Sequence, residues 1–352
     1  MKFLFFAPQT LKPTGGIRVI YNYVARLCEM GVDAYVYHPT GNHEYQYADE
    51  KVPIFKGSVI SSSDHLVIPD VFVSQIVDAN IDSRQKYSLL IQNPYILRSV
   101  KRYSDLNKLL DAINRASRIL CISDDAIEMI TTISPHCESK VMRVTWSLKP
   151  DKFVNEQKKE RLITYMPRKN VTHANLLLEC LNANLPSNWK VQAIVGVSQK
   201  ELCKILSQSS IFLQFGSFEG LPAPPVEAAI SGNYVVGYHG NGGKEYWSTP
   251  NFINVNVGEI SDFSRQVLCL VKQIEAINFA LDELHPGIKE LVEKFSVDEE
   301  RRCMVEFIDS ISNDPIDKNI ISVKTKLPFK TNNISYIYNR MVTKWIQLNS
   351  DY

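Results

Sequence analysis

Residues 2–39, KFLFFAPQTLKPTGGIRVIYNYVARLCEMGVDAYVYHP, decide the fold. KFLFFAP is a short apolar run closed by a proline, the pattern of a parallel strand buried on both faces. The loop QTLKPTGG follows. IRVIYNYVARLCEMG then sets Ile17, Ile20, Val24 and Leu27 on one helical stripe and ends on Gly31, a C-terminal stop. DAYVYHP reads as a second strand. Strand, glycine loop, helix and strand in this order form the unit from which doubly wound α/β sheets are built.

The same alternation runs on. HLVIPD, SLLIQNP and RILCIS read as further short strands, Asp124 to Ile133 as a helix, and KVMRVTW as the last strand of this half. The polar segment KPDKFVNEQKKER (149–161) marks a domain boundary. A second series begins after it. LITYMP, WKVQAIVG, SIFLQFG and YVVGYHG are its strands; HANLLLECLNAN, SQKELCKILSQS and PPVEAAISG are its helices. Helices are also expected near 261–281 and 298–312. The reading is a Rossmann-like domain over 1–150, a second over 151–312 and a tail over 313–352. In the tail Ile334, Ile337, Met341 and Trp345 stand at helical spacing.

Composition narrows the function classes. The chain has 352 residues, 45% hydrophobic and 22% charged, which is ample for two buried cores. A formal net charge of +1 gives no bulk attraction to nucleic acid. Seven cysteines without a CxxC spacing read as reduced core thiols of a cytoplasmic protein. MKFLFFAP is too short for a signal peptide, and no run approaches the roughly 18 apolar residues that span a bilayer. Peripheral contact with a membrane surface stays open.

Ligands of open α/β sheets bind outside the carboxyl ends of the strands. The informative residues are therefore Gly15 and Gly16, Asn93, Arg168 and Lys169, Ser217 to Pro222, and Gly240 to Glu245. Gly15 and Gly16 let a ligand approach the backbone, or simply make a tight turn. Arg168 and Lys169 suit phosphate: arginine grips its oxygens as a fork and lysine adds a point charge. In FEGLPAPPVEAAISG (218–232), Pro224 and Pro225 fit the first turn of a helix, which places Glu227 in that turn as well. Ser123-Asp124-Asp125 reads as a helix N-cap, and no Asp-x-Asp metal motif stands at a strand end. His38 and His65 read as ordinary interior histidines.

Glu219 and Glu227, eight positions apart around Gly220, Leu221 and Pro222, resemble the Glu-x7-Glu region of the retaining family 4 glycosyltransferases of GT-B fold. The usual spelling there is EGFGLPPLEA; here it is EGLPAPPVEA. PTGG (13–16), YMPRK (165–169) and GNGGKE (240–245) resemble the family's other landmarks in order, over most of the chain up to about residue 310. YMPRK, VIPD (67–70) and QNPY (92–95) also resemble a subgroup that includes bacterial rhamnosyltransferases.

The resemblance implies two Rossmann-like domains facing across a cleft, with the C-terminal helix crossing back onto the first. It implies metal-independent, retaining transfer of a hexose or deoxyhexose from a nucleotide diphosphate sugar to a glycan acceptor, without a cofactor. Surface polysaccharide synthesis is the setting it suggests. Glu219 would face the donor sugar as the catalytic residue, positioning it and stabilising charge. Glu227 would hold the ribose hydroxyls, and Arg168 and Lys169 the diphosphate. Gly15, Gly16, Asn93, Gly220, Leu221, Pro222, Gly242, Gly243 and Glu245 would line the donor. Two departures stand out. Pro222 replaces a family glycine and removes an amide donor. Asn93 lies where a histidine is common, so no side chain there can act as a base. Rival readings are a nucleotide-sugar epimerase or phosphorylase of the same architecture, and a degenerate transferase acting as a glycan-binding scaffold. The tail's aromatic and basic residues (Tyr336, Tyr338, Arg340, Lys344 and Trp345) also suit a membrane-surface face.

Overall fold

Strand β1 (Phe3–Phe6) is buried from end to end, and helix α1 (Gly15–Glu29) lays Ile17, Ile20, Val24 and Leu27 into the interior. Gly31 closes the helix with φ +77°, a conformation that glycine adopts without penalty. Both features follow from the opening stretch of sequence. The computed structural model describes residues 1–10, 14–39, 45–57, 59–73, 85–97, 106–149, 153, 159–248, 250–276, 287–312 and 324–326.

The chain forms two compact units, Met1–Ser147 with Val297–Trp345, and Leu148–Ser296 with Ile346–Tyr352. The first is built on a six-stranded parallel sheet. β2 (Ala34–Tyr37), β4 (His65–Pro69), β5 (Tyr87–Ile91), β6 (Ile119–Cys121) and β7 (Val141–Arg143) join β1 in the order β2-β1-β4-β5-β6-β7. α2 (Leu106–Arg115) and α3 (Asp124–Ile133) flank it. Ser123 caps α3, its Oγ accepting from the Ala126 amide at 3.1 Å, as the sequence suggested. β3 (Val59–Ser61) pairs antiparallel with β13 (Lys324–Lys326), so that piece of the tail adds a strand to this unit. The expected tail helix lies outside the described residues.

The second unit repeats the plan with five parallel strands. β8 (Leu162–Tyr165), β9 (Lys190–Ala193), β10 (Ile211–Gln214), β11 (Tyr234–Gly237) and β12 (Phe252–Asn254) take the order β12-β11-β10-β8-β9. Its helices are α4 (Val171–Asn184), α5 (Gln199–Gln208), α6 (Ala223–Ile230), α7 (Ile260–Ala276) and α8 (Gly287–Lys294). Ile163, Leu213, Phe215, Val236 and Phe263 anchor its core. Lys159, just before β8, is half-buried, with its ammonium donating to the carbonyl oxygens of Leu206, Ser209 and Ser231 at the ends of α5 and α6. Burial pulls it down to about 7.

The last long helix, α9 (Val297–Ser312), was expected with the second half but belongs to the first unit, where it packs on α1. A buried polar knot holds it. The Glu300 carboxylate accepts from the Ser147 amide at 2.9 Å and from Ser147 Oγ at 2.8 Å, with Arg26 Nε 3.8 Å away. Arg26 also pairs with Glu29 at 3.1 Å and with Glu50. Burial raises Glu300 from 4.5 to about 7. A folded-state pKa above the unfolded one contributes stability that is complete below about 4.5 and lost as pH rises through 7. Glu300→Gln keeps both Ser147 contacts but cannot titrate. Urea unfolding at pH 5 and pH 8 should show wild type losing about 3 kcal/mol more than the variant across that window.

Each sheet has one point where the winding reverses. In the first it lies between β1 and β4; in the second, between β8 and β10. Ligand crevices of doubly wound sheets form at such points, outside the carboxyl ends of the strands. Those ends carry most of the residues singled out above.

Candidate functional site

In the second unit the two strands beside the reversal end in opposite charges. Lys169 follows β8 and Glu219 follows β10; Nζ and Oε1 are 3.1 Å apart, with 12% and 20% of their side chains exposed. Burial lowers the Lys169 ammonium, Glu219 opposes that, and neighbouring Arg168 adds to the lowering. Arg168 itself is exposed. The two adjacent cations thus differ in setting: Lys169 is held inside the turn and Arg168 stands in solvent.

The pair is held by backbone. Asn170, in the left-handed region at φ 46° and ψ 57°, donates from Nδ2 to the Phe215 carbonyl oxygen and to Ser217 Oγ. This ties the turn after β8 to the turn after β10. The Glu219 amide donates to the Gly240 carbonyl oxygen at 2.8 Å, and the Gly242 amide donates to the Glu219 carbonyl oxygen at 3.1 Å. This ties the turn after β10 to the one after β11. The close approach requires glycine. A Cβ on Gly242 would lie 1.7 Å from the Gly220 carbonyl oxygen, and one on Gly216 2.6 Å from Glu219 Oε1. Tyr246 Oη donates to the Pro222 carbonyl oxygen at 2.8 Å and packs on Gly243. Leu221, between Gly220 and Pro222 in the chain, is buried.

Two expectations change here. α6 starts at Ala223 with Pro222 as its N-cap, so Glu227 is the fifth helical residue and no acidic residue stands in the first turn. The prolines occupy the second and third positions, and Glu227 lies just past the first turn, where it is 3% exposed. Glu245 is drawn into a pair with Lys294 on α8 at 3.0 Å and is 5% exposed. That contact competes with any role toward sugar hydroxyls.

In the first unit the reversal point is organised by a residue that the sequence reading passed over. Asp70, directly after β4 and 3% exposed, accepts from the backbone amides of Val71 at 2.8 Å, Gln92 at 2.8 Å and Asn93 at 2.5 Å. Burial raises it to about 7 against those three donors. Gln92 Nε2 donates to the Gly16 carbonyl oxygen at 2.9 Å, and a Cβ on Gly16 would sit 2.7 Å from Gln92 Oε1. Gly15 faces open space. Asn93 Oδ1 accepts from the Tyr95 amide at 3.0 Å, and Tyr95 Oη donates to both carboxylate oxygens of Asp125 at 2.8 and 3.0 Å. VIPD and QNPY, noted separately in the sequence, therefore meet in space. The available signal was position: Asp70 and Asn170 both stand just past strands.

The histidines read as ordinary are so placed. His38 bridges the Ala7 carbonyl oxygen and Tyr21 Oη at 3.0 and 2.8 Å, and His65 meets Ser88 Oγ at 2.8 Å. Burial lowers His65 to about 3, so it is neutral. Among the described residues no group of three or more His, Cys, Asp and Glu is arranged to hold a metal ion. No helix among them is long and apolar enough to cross a membrane.

No protein-family model matches the sequence, and no curated protein is similar to it. Solved structures are similar in fold. Anabaena HepE in complex with UDP-glucose superposes with a TM-score of 0.63 at 11% identity, over 88% of this chain and 100% of that one. The lipopolysaccharide outer core galactosyltransferase WaaB gives 0.58 at 16% identity, over 90% and 100%. A glycosyltransferase from Rickettsia africae gives 0.57 at 12%, over 89% and 99%. The fold is the one these GT-B glycosyltransferases share: two Rossmann-like halves, each a parallel sheet flanked by helices.

Proposed function

We propose that the chain is a glycosyltransferase that moves a hexose or deoxyhexose from a nucleoside diphosphate sugar to a hydroxyl of a glycan acceptor. The observation that carries this reading is the Lys169–Glu219 pair at the reversal point of the second sheet. HepE, solved in complex with UDP-glucose, and WaaB, a galactosyltransferase, support it.

The residues take the following parts. Lys169, with Arg168 reaching from solvent, meets the diphosphate, on which negative charge grows as the sugar leaves. Glu219, fixed by the turns around it, positions the donor sugar. Glu227 accepts from the ribose hydroxyls; a carboxylate accepts two at once. Gly220, Leu221, Pro222, Gly242 and Gly243 line the phosphates and the sugar. In the first unit Gly16 and Asn93 stand at the reversal point of their own sheet, linked through Gln92 and Asp70. The bond between the anomeric carbon and the phosphate oxygen breaks. The acceptor oxygen bonds to that carbon, and its proton passes to the departing phosphate. Same-face transfer needs no side-chain base, which agrees with the absence of a histidine at position 93. The cations supply the charge stabilisation that a metal gives in other transferases. The rhamnosyltransferase-like spelling of VIPD and QNPY supports a deoxyhexose, and a glycan built at the cytoplasmic membrane face is the matching acceptor.

The test is calorimetric titration with UDP, GDP, dTDP, ADP and CMP, with and without EDTA. One diphosphate should bind in the micromolar range, unchanged by EDTA and at least tenfold more weakly to Lys169→Met. Absence of binding to every nucleotide would refute the reading in favour of a scaffold.

A further inference from the structure

Asn241 is the centre of a γ-turn in the second unit. The Gly242 amide donates to the Gly240 carbonyl oxygen at 2.9 Å, with Asn241 at φ 64° and ψ −64°. This is the rare, strained form of that turn, and a residue with a side chain keeps it only where its surroundings enforce it. Gly240, Gly242 and Gly243 surround the strained position, yet the position itself is not a glycine. Three contacts enforce the turn. The Glu219 amide donates to the Gly240 carbonyl oxygen, and the Gly242 amide to that of Glu219. The Asn241 amide donates to Nδ1 of half-buried His239 at 2.9 Å. His239 is itself fixed: its carbonyl oxygen accepts from the Gly243 amide at 3.0 Å, and its ring stands edge-on to Trp247 with centroids 6.5 Å apart.

Side chains that accept from an amide two residues on are ordinarily those of Asp, Asn, Ser or Thr. Histidine can do so only while neutral. The Asn241 amide on Nδ1 leaves the ring proton on Nε2. A second proton would enter at Nδ1, where it meets the Asn241 N–H donor to donor. Histidine is the side chain whose ordinary titration makes that change between pH 5 and 8. The charged groups on the adjoining turns and on α8 stand largely as pairs, Lys169 with Glu219 and Glu245 with Lys294. Lys244, in the turn itself, and Arg168 are exposed. Tyr246 is buried, and burial raises its hydroxyl further out of this range.

We propose that His239 is a positioning residue that acts as a proton-operated latch on the turn holding Glu219. Neutral, it supports the γ-turn; protonated, it releases the turn, and the nucleotide site loosens. The consequence for binding rests on the glycosyltransferase reading, in which Glu219, Gly242 and Gly243 meet the donor. Affinity for a nucleoside diphosphate therefore falls as pH falls through the pKa of His239. By reciprocity, a tenfold fall means that binding lowers that pKa by about one unit. The sign is diagnostic, because a diphosphate acting on the imidazole by charge alone would raise its pKa.

The experiment follows the His239 ring nitrogens by NMR from pH 5 to 8, free and with saturating UDP, GDP, dTDP or ADP. Protection of the Asn241 and Gly242 amides against exchange is measured alongside, corrected for the intrinsic effect of pH. Calorimetry over the same range compares wild type with His239→Asn. Asparagine places Oδ1 where Nδ1 stands, accepts the same amide and does not titrate. The terminal phosphate of each nucleotide itself titrates at about 6, a contribution common to both proteins. Between pH 8 and 5 wild type should lose at least tenfold of the protection at both amides, and at least tenfold more affinity than His239→Asn loses. The imidazole pKa should fall on binding; this wild-type titration decides the matter alone should the variant unfold. Protection independent of pH in wild type, equal pH dependence of affinity in the two proteins, or an imidazole pKa raised by the nucleotide would each overturn the latch. Amides that respond to pH while no nucleotide binds at any pH would support the latch and overturn the glycosyltransferase reading instead.

Discussion

Glu219→Gln is expected to bind UDP about tenfold more tightly than wild type while releasing UDP from a nucleotide sugar about a thousandfold more slowly. The Glu219 carboxylate lies 3.1 Å from Lys169, so an entering diphosphate must share the lysine with a fixed negative charge. Two unit charges 5 Å apart at an effective dielectric of about 20 repel by about 3 kcal/mol. Part of that is recovered on binding when the carboxylate becomes an amide, which gives about tenfold. Turnover moves the other way. Glutamine can still accept a hydrogen bond but cannot stabilise positive charge at the anomeric carbon, and losses of 10²–10³ are typical when one such electrostatic group is removed. The variant also leaves Lys169 buried without its counter-ion. Burial already lowers this lysine and Glu219 opposes that, so the ammonium should deprotonate at lower pH in the variant. The gain in UDP affinity should therefore fade as pH rises, sooner than any loss in wild type. Calorimetry across pH and a coupled assay for UDP release read both effects. UDP affinity unchanged at every pH would show that Glu219 and the diphosphate do not compete for Lys169.

The second large effect is expected from Gly242→Ala. The added Cβ would lie 1.7 Å from the Gly220 carbonyl oxygen and 2.7 Å from that of Glu219. Both are backbone atoms and neither can rotate aside, so the turn after β11 must move away from the turn after β10. Overpacking against side chains costs about 1–3 kcal/mol. Here the movement also breaks the amide contacts that Glu219 makes with Gly240 and Gly242, so a loss of about 4 kcal/mol is expected. Nucleotide binding should fall with it, because Lys169 follows its partner. Gly15→Ala is the control for stability: its Cβ would meet nothing within 4 Å, and its unfolding midpoint should stay near that of wild type. An unchanged midpoint for Gly242→Ala would mean that the two turns are not packed backbone to backbone.

The fold was largely legible because parallel strands buried on both faces read as plain apolar runs. KFLFFAP, HLVIPD, SLLIQNP and SIFLQFG all became central strands of the two sheets. Among the elements that went unread are the ten-residue helix α2, LNKLLDAINR, and two short ones. β12 is three residues, FIN, at a sheet edge, and α8 is the eight residues GIKELVEK. The placement of α9 in the first unit depends on Glu300 and Arg26, buried charges far apart in sequence whose meeting no local pattern reports. The site divides in the same way. Position after a strand identified Lys169, Glu219 and the glycines of both turns. It did not show that Lys169 and Glu219 touch, because they come from strands that are neighbours only after a crossover. Pro224 and Pro225 do lie in the first turn of α6, but Ala223 opens the helix, so Glu227 falls one residue deeper, just past that turn. Asp70 and Asn170 act by bonding their side chains to other turns, Asp70 accepting amides and Asn170 donating to the Phe215 carbonyl oxygen, partners that no local pattern reports.

The central claim is that a nucleoside diphosphate binds where β8 and β10 end in Lys169 and Glu219. Amide hydrogen exchange with and without saturating UDP, GDP, dTDP or ADP, each in turn, tests it most directly. The account predicts slowed exchange in residues 166–170, 216–221 and 240–243, with the remaining strand-end turns of the second unit unchanged. Protection confined to other segments, with these three exchanging as in the free protein, would contradict it.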